Sequence, residues 1–345
     1  MTVGEIVVLV ASPLEPTHVE RMRAVDPCIT VVHRPDLVGA PRYVADHDVV
    51  IRRTPQQQAE WDSMLREADI LFDFDKATPV SLEQRAPRLR WIQATSSGVG
   101  AYIEKAGLVD SKIMVTNAAG IHAVPLAEFV LMTTLMLTRG MLHAQENQRL
   151  HRWERFTTPE LTGRVMLVVG VGRVGIEVAR RARSFGMRVI GVKRDTRTAR
   201  ANDHQVDELI GTERLAEALP RADVVVLALP LTVRTRHLIG ERELRLMKPS
   251  ACLINIARGP VVDEPALVRA LQNETIASAA LDVFRTEPLP ADSPFWDMPN
   301  VIVTSHCMSQ SELENDRITD LFCRNLSRFL RGDLLLNVVD KVRGY

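Results

Sequence analysis

LVVGVGRVGIEVARRARSFGMRVIGVKR, Leu167 to Arg194, is the stretch on which the fold turns. The apolar run Val165 to Val169 reads as a buried strand. It enters Gly170-Val171-Gly172-Arg173-Val174-Gly175, after which Gly175, Val178, Ala179 and Ala182 recur at the spacing of one helix face. Arg188 to Val192 is a second strand and closes a βαβ unit. This is the dinucleotide-binding fingerprint in its required context. Gly170 permits a tight turn, Gly172 lets backbone approach a pyrophosphate, and Gly175 lets helix and strand pack closely. The helix N-terminus offers free N–H groups to phosphates.

Working outward, strand signals continue at Val224–Leu229, Cys252–Ile256, Ala277–Asp282 and Val301–Thr304, six strands in all for a doubly wound sheet. Before the fingerprint, Ile6–Val10, Ile29–Val32, Ile70–Phe72, Leu89–Ile92 and Ile113–Val115 alternate with helical stretches such as Gln56–Ala68 and Ser81–Ala86. That pattern predicts a second parallel sheet with helices outside it. One long helix is expected from Pro125 to about His143, and a last one from Glu312 to Leu330.

A chain of 345 residues predicts two domains. Lys plus Arg and Asp plus Glu balance at 43 each, so no global field draws nucleic acid, and no nucleic-acid partner is expected. Cys28, Cys252, Cys307 and Cys323 show no CxxC and no metal-ligand spacing, so no metal is expected, and Cys28 and Cys252 read as core. The opening MTVGEIVVLVASP reads as a first strand rather than a signal peptide. Ala127–Thr138 is too short to span a bilayer, so no membrane partner is expected and a reducing cytoplasm fits.

Ligands in such sheets sit at the carboxyl ends of strands. Arg258 ends one strand, Glu287 lies just past the next, and His306 ends the last. A cation, a carboxylate and an imidazole at neighbouring strand ends suit carbonyl reduction. The cation holds a substrate carboxylate in a fork, the imidazole gives a proton to the carbonyl oxygen, and the carboxylate orients that imidazole.

Here the chain resembles the D-isomer-specific 2-hydroxyacid dehydrogenases. The motifs are GVGRVG (170–175), LPLTVRTRHLI (229–239), INIARGPVVDEPAL (254–267), LDVFRTEPLP (281–290) and FWDMPNVIVTSH (295–306), with WIQATSSGVGAYI (91–103) and VTNAAGIHAVPLAEFVL (115–131) before them. The resemblance covers nearly the whole chain. It implies an α/β protein of two doubly wound parallel-sheet domains, a Rossmann cofactor domain (118–306) inserted in a flavodoxin-like substrate domain (1–117 and 307–345). It implies Arg258 on the substrate carboxylate, His306 as proton donor in reduction and acceptor in oxidation, and Glu287 as partner of His306. Asp282 would hold the nicotinamide carboxamide, and backbone N–H groups around Ser97, Gly98 and Val99 would complete the carboxylate site from the other domain across a closing cleft. Arg173 and Val174 would lie against the pyrophosphate and Leu229, Pro230 and Thr235 along the adenosine end, with Ile256 and Ala257 also in the cofactor set. The family forms dimers through the segments corresponding to Ala127–Leu142 and Gln145–Trp153, so a homodimer is expected.

Two departures stand out. Where the family continues after the histidine with small residues and glycines, this chain has Cys307-Met308-Ser309-Gln310, and Met308 would narrow the nicotinamide end or shape substrate choice. After the second fingerprint strand, where an NAD site carries an acid, stand Lys193 and Arg194, with Asp195 beyond. Two cations there predict NADP over NAD, with Arg197 and Arg200 adding positive charge. His122 and His237 read as packing or hydrogen-bonding residues; His18, His33, His47, His143, His151 and His204 read as surface. Arg52, Arg53, Phe74 and Lys76 lie where they could shape specificity. The expected activity is NAD(P)H-dependent reduction of a small 2-oxo acid to the D-2-hydroxy acid. The alternatives are formate or phosphite oxidation on the same fold, against which Glu287 argues, and a nucleotide-sensing, corepressor-like binding protein.

Overall fold

The computed structural model describes residues 5–196 and 205–343. The chain divides into two compact units, Met1–His122 with Gln310–Tyr345 and Ala123–Ser309. Both boundaries fall three to five residues later than expected from 117 and 306.

Unit 1 holds β1 (Ile6–Val10), β2 (Ile29–His33), β3 (Ile70–Phe72), β4 (Trp91–Gln93) and β5 (Met114–Thr116), with α1 (Pro16–Arg23), α2 (Pro35–Val38), α3 (Pro55–Glu67), α4 (Leu82–Arg85) and α5 (Gly100–Lys105) between them. All pairs are parallel, in the order β2-β1-β3-β4-β5, the flavodoxin order. The strands are apolar on both faces because both are covered. Leu9 and Leu71 pack on one side with Trp61 and Leu65 of α3, and Val8, Val10 and Phe72 on the other with Val19 and Met22 of α1.

Unit 2 holds α6 (Ala123–Thr138), α7 (Met141–Arg149), β6 (Val165–Val169), α8 (Arg173–Ser184), β7 (Arg188–Lys193), β8 (Glu208–Gly211), α9 (Leu215–Ala218), β9 (Val224–Leu227), α10 (Glu241–Leu246), β10 (Cys252–Asn255), α11 (Glu264–Gln272), β11 (Ser278–Leu281) and β12 (Val301–Val303). Its parallel sheet runs β12-β11-β10-β9-β6-β7-β8, the Rossmann order with one strand added. Leu167 and Val169 of β6 face one core layer, Met166 and Val168 the other, as period-two alternation requires. The last helix, α12 (Glu314–Arg331), belongs to unit 1, where Phe322 sits edge-on to Phe72 and stacks on Trp91.

Three expectations are corrected. Unit 2 has seven strands rather than six, because β8, ELIG, is too short and too polar at its start to stand out from sequence. The single helix expected from Pro125 to His143 is two, bent by 65° where Gly140 takes φ 65°. Among the described residues no single helix is long and apolar enough to cross a membrane. His18 and His47 are buried rather than at the surface, His47 bonding Ser12 Oγ through Nδ1 at 2.8 Å. His237 is exposed at φ 51°, so its side chain does not pack as expected. Arg197, Arg200 and His204 lie outside the described residues.

Candidate active site

The fingerprint folds as its glycines require. Gly170 takes φ 103°, and a Cβ there would stand 2.5 Å from the carbonyl oxygen of Ala228, so the loop presses on the end of β9. A Cβ on Gly175 would meet the carbonyl oxygen of Gly170 at 2.1 Å. Around Gly172, by contrast, a Cβ would find open space. Gly172 is also the N-cap of α8, and no side chain caps the helix. An uncapped helix start beside an open glycine, at the point where the strand order reverses between β6 and β9, fits a pyrophosphate. Arg173 opens α8 and is exposed, and Val174 packs partly against the core. Lys193 ends β7 half-buried, with Arg194 and Asp195 exposed just after it. The loop after β9 carries Leu229, Pro230 and Thr235, and the Thr235 hydroxyl binds the Pro230 carbonyl at 2.8 Å.

Arg258, Glu287 and His306 follow β10, β11 and β12, which are adjacent in the sheet. Nδ1 of His306 and Oε2 of Glu287 are 2.7 Å apart. The other carboxylate oxygen accepts the Phe284 N–H at 2.9 Å, fixing Glu287 to its own loop. Burial pushes the Glu287 pKa up, but the hydrogen bonds from His306 and Phe284 outweigh it and leave it below the usual value. With Nδ1 committed to an ionised carboxylate, Nε2 is the ring atom left for proton transfer. Arg258 is largely buried; burial pushes its pKa down and the Glu287 charge opposes that shift. Its Nη1 donates to the Ala257 carbonyl at 2.7 Å.

Asp282 does more than the sequence suggested. Its Oδ1 accepts from the Thr304 hydroxyl at 2.7 Å, the Cys307 N–H at 3.1 Å and the Met308 N–H at 3.3 Å, while Oδ2 has no hydrogen bond among the described residues. It therefore clasps the backbone on both sides of His306, which takes a left-handed φ of 53°. Asn255, quoted in its motif without a role, is also structural to the site. Its Nδ2 donates to the Arg258 carbonyl at 3.2 Å and its Oδ1 accepts the Ala257 N–H at 3.1 Å. A buried asparagine closing a strand was the available signal. Ile256 and Ala257 are buried in the same turn, and Met308 packs partly against the core.

In unit 1, Ser97 and Gly98 precede Val99, the N-cap of α5. The Asn117 amide donates to the Ser97 carbonyl at 2.9 Å. The Arg53 guanidinium lies 3.9 Å over the Trp61 ring and 3.0 Å from Asp75, and Phe74 stacks on Tyr102 at 5.5 Å, so both are packing residues. Lys76 pairs with Asp73 at 3.0 Å, and Arg52 is exposed. Among the described residues no group of three or more His, Cys, Asp or Glu could hold a metal ion.

Residues 131–308 match the family model described as D-isomer specific 2-hydroxyacid dehydrogenase, NAD binding domain. A glyoxylate reductase from Thermofilum pendens is 35% identical over 309 residues, covering 85% of this chain and 88% of that protein. A D-isomer specific 2-hydroxyacid dehydrogenase family protein from Aeromonas salmonicida superposes with a TM-score of 0.79 at 31% identity, covering 98% of this chain and 100% of the other. An NADPH-dependent glyoxylate/hydroxypyruvate reductase from Sinorhizobium meliloti, solved with NADP and sulfate, gives a TM-score of 0.79 at 27% identity, covering 99% and 100%.

The pairing of Glu287 with His306 is open to direct measurement. His306→Ala removes the hydrogen bond that lowers the Glu287 pKa and leaves the burial that raises it. The Glu287 carboxyl should then titrate higher, by about one pH unit, in a carbon NMR titration. In the native protein this group favours folding at pH values above its unfolded pKa and loses that contribution as pH falls through its lowered folded pKa. An unmoved titration in His306→Ala would mean that the two side chains do not pair in solution.

Proposed function

The chain belongs to the D-isomer-specific 2-hydroxyacid dehydrogenases, NAD(P)-dependent oxidoreductases, and we propose that it reduces a small 2-oxo acid, such as glyoxylate or hydroxypyruvate, to the D-2-hydroxy acid with NADPH as its preferred cofactor. The observation that carries this reading is the 2.7 Å contact of His306 with Glu287, one strand end away from the buried Arg258.

When bound, a reduced nicotinamide supplies the hydride, which goes to the carbonyl carbon. The carbonyl π pair moves to oxygen and takes the proton from Nε2 of His306. Glu287 stays ionised and stabilises the imidazolium until the transfer, and the ring then recovers a proton from solvent. Arg258 holds the substrate carboxylate by two parallel hydrogen bonds, and the segment Ser97–Val99 is its second contact. The cofactor would lie along Gly170, Gly172, Arg173, Val174 and Gly175, with Leu229, Pro230, Thr235, Ile256, Ala257 and Asp282 as further contacts. Lys193 and Arg194 would favour the 2′-phosphate. The reading includes a cytoplasmic homodimer built on α6, α7 and the arm after them, where Met132, Met141, Leu150, Trp153 and Phe156 are exposed.

Turnover of a panel of 2-oxo acids with both cofactors tests the core of this reading. A charge-assisted contact to the 2′-phosphate is worth about 1.5–3 kcal/mol, so NADPH should be preferred by roughly tenfold to a hundredfold in kcat/KM. Equal or better efficiency with NADH would assign the ribose to Asp195 instead. Arg258→Lys presents a point charge in place of a planar fork. It should raise KM for the 2-oxo acid and lower kcat, with NADPH affinity nearly unchanged. Wild-type constants in that variant would move the carboxylate elsewhere. Light scattering on the purified protein should return twice the chain mass of 38.6 kDa, and a monomer would remove the dimer from the proposal.

A further inference from the structure

Ser97 is held by more than its backbone. Its Oγ lies 3.4 Å from Nδ1 of His122, and Nε2 of the same ring lies 3.1 Å from Oε1 of Glu314. The three residues come from distant parts of the sequence, namely the segment before α5, the residue preceding α6 and the first residue of α12. All lie in unit 1. The His122 and Glu314 side chains are only 13% and 8% exposed, so the contacts are sheltered from water. None of the chemistry assigned to the strand ends of unit 2 uses them.

We propose that His122, anchored by Glu314, is a positioning residue that fixes the Ser97 hydroxyl as a hydrogen-bonding group for the carboxylate of the 2-oxo acid. The inference rests on the reading of Ser97–Val99 as a carboxylate contact. A serine hydroxyl on a loop has three staggered positions, and a contact made only after substrate arrives must first order it. Here the carbonyl of Ser97 is already held by Asn117 and its Oγ by His122. Glu314 is suited to anchor the ring. It stands in the first turn of an 18-residue helix, where the helix dipole favours a negative charge. An ionised carboxylate only accepts, so the proton of this contact is on Nε2, and the ring must turn Nδ1 toward Ser97. The second Glu314 oxygen, Oε2, is buried without a partner. A buried carboxylate with one unsatisfied oxygen is costly for a purely structural helix start.

A double-mutant cycle separates this arrangement from simple packing. Ser97→Ala and His122→Phe should each raise KM for the 2-oxo acid by about tenfold, the size of one hydrogen bond to a charged group. kcat should change less, and NADPH affinity should be unchanged. If His122 acts through Ser97, the double variant should show about the same tenfold rise rather than the product of the two. Multiplying effects, or a wild-type KM in His122→Phe, overturn the proposal while leaving the reductase reading intact. Absence of any 2-oxo acid turnover in the wild type overturns the reductase reading and this proposal together. Thermal unfolding checks each variant. If His122→Phe does not fold, His122→Asn keeps an amide nitrogen near the Nδ1 position. Its KM should then fall between those of the wild type and Ser97→Ala, and a KM above that of Ser97→Ala overturns the proposal.

Discussion

Two loops of unit 2 touch through bare backbone, and the spacing of the charged groups depends on that contact. A methyl group at Gly259 would stand 1.9 Å from the carbonyl carbon of Phe284 and 2.3 Å from the nitrogen of Arg285. Only glycine allows the approach. The residue before it is Arg258, and the Phe284 N–H is the donor that fixes Glu287. The parallel register of β10 with β11, Asn255 opposite Leu281, is thereby carried past the strand ends to the side chains that do the chemistry. Asn255 completes the connection by tying the Ala257 and Arg258 backbone to the last residue of β10.

The electrostatics follow from this crowding. Burying a guanidinium disfavours its charge, and Arg258 shows that shift, opposed by the Glu287 carboxylate. The same carboxylate takes His306 on its outer oxygen. One anion therefore faces two basic groups of different duty, one permanently charged and one that cycles its proton. Arg258 holds Glu287 in the ionised form that His306 needs. Removing Glu287 would leave the buried cation without its nearby countercharge, so the loss would not be confined to the histidine.

What could be read from the sequence was what periodicity and glycine chemistry determine. The run into Gly170, the helix from Arg173 and the strand from Arg188 follow from apolar spacing and from turns that only glycine makes. The positions of Arg258, Glu287 and His306 at strand ends followed once the strands were placed. Tertiary context decided the rest. The strand Glu208–Gly211 is too short and mixed to signal itself, and it exists because β7 offers it an edge. Gly140 lies in an otherwise continuous helical pattern, and only its left-handed backbone reveals the break. His47 is polar and reads as surface, yet it is buried with Ser12 as its partner. The link from Ser97 to Glu314 spans more than two hundred residues, and no local pattern reports it.

His306 breaks a local rule that most residues obey. A left-handed backbone at a residue with a side chain costs of order 1–3 kcal/mol and persists only where the surroundings over-determine it. Here they do, because Asp282 binds Thr304 before the histidine and Cys307 and Met308 after it. Its own position is set by β11, whose last residue, Leu281, accepts the Thr304 N–H at 3.0 Å. Burial raises the Asp282 pKa, and the three donors work against that shift to keep a charged acceptor in place. A relaxed extended backbone at 306 would carry the ring away from Glu287, since the direction of the Cα–Cβ bond changes with φ. The unfavourable conformation is thus the geometric condition for the 2.7 Å contact, and Asp282 is the group that sustains it.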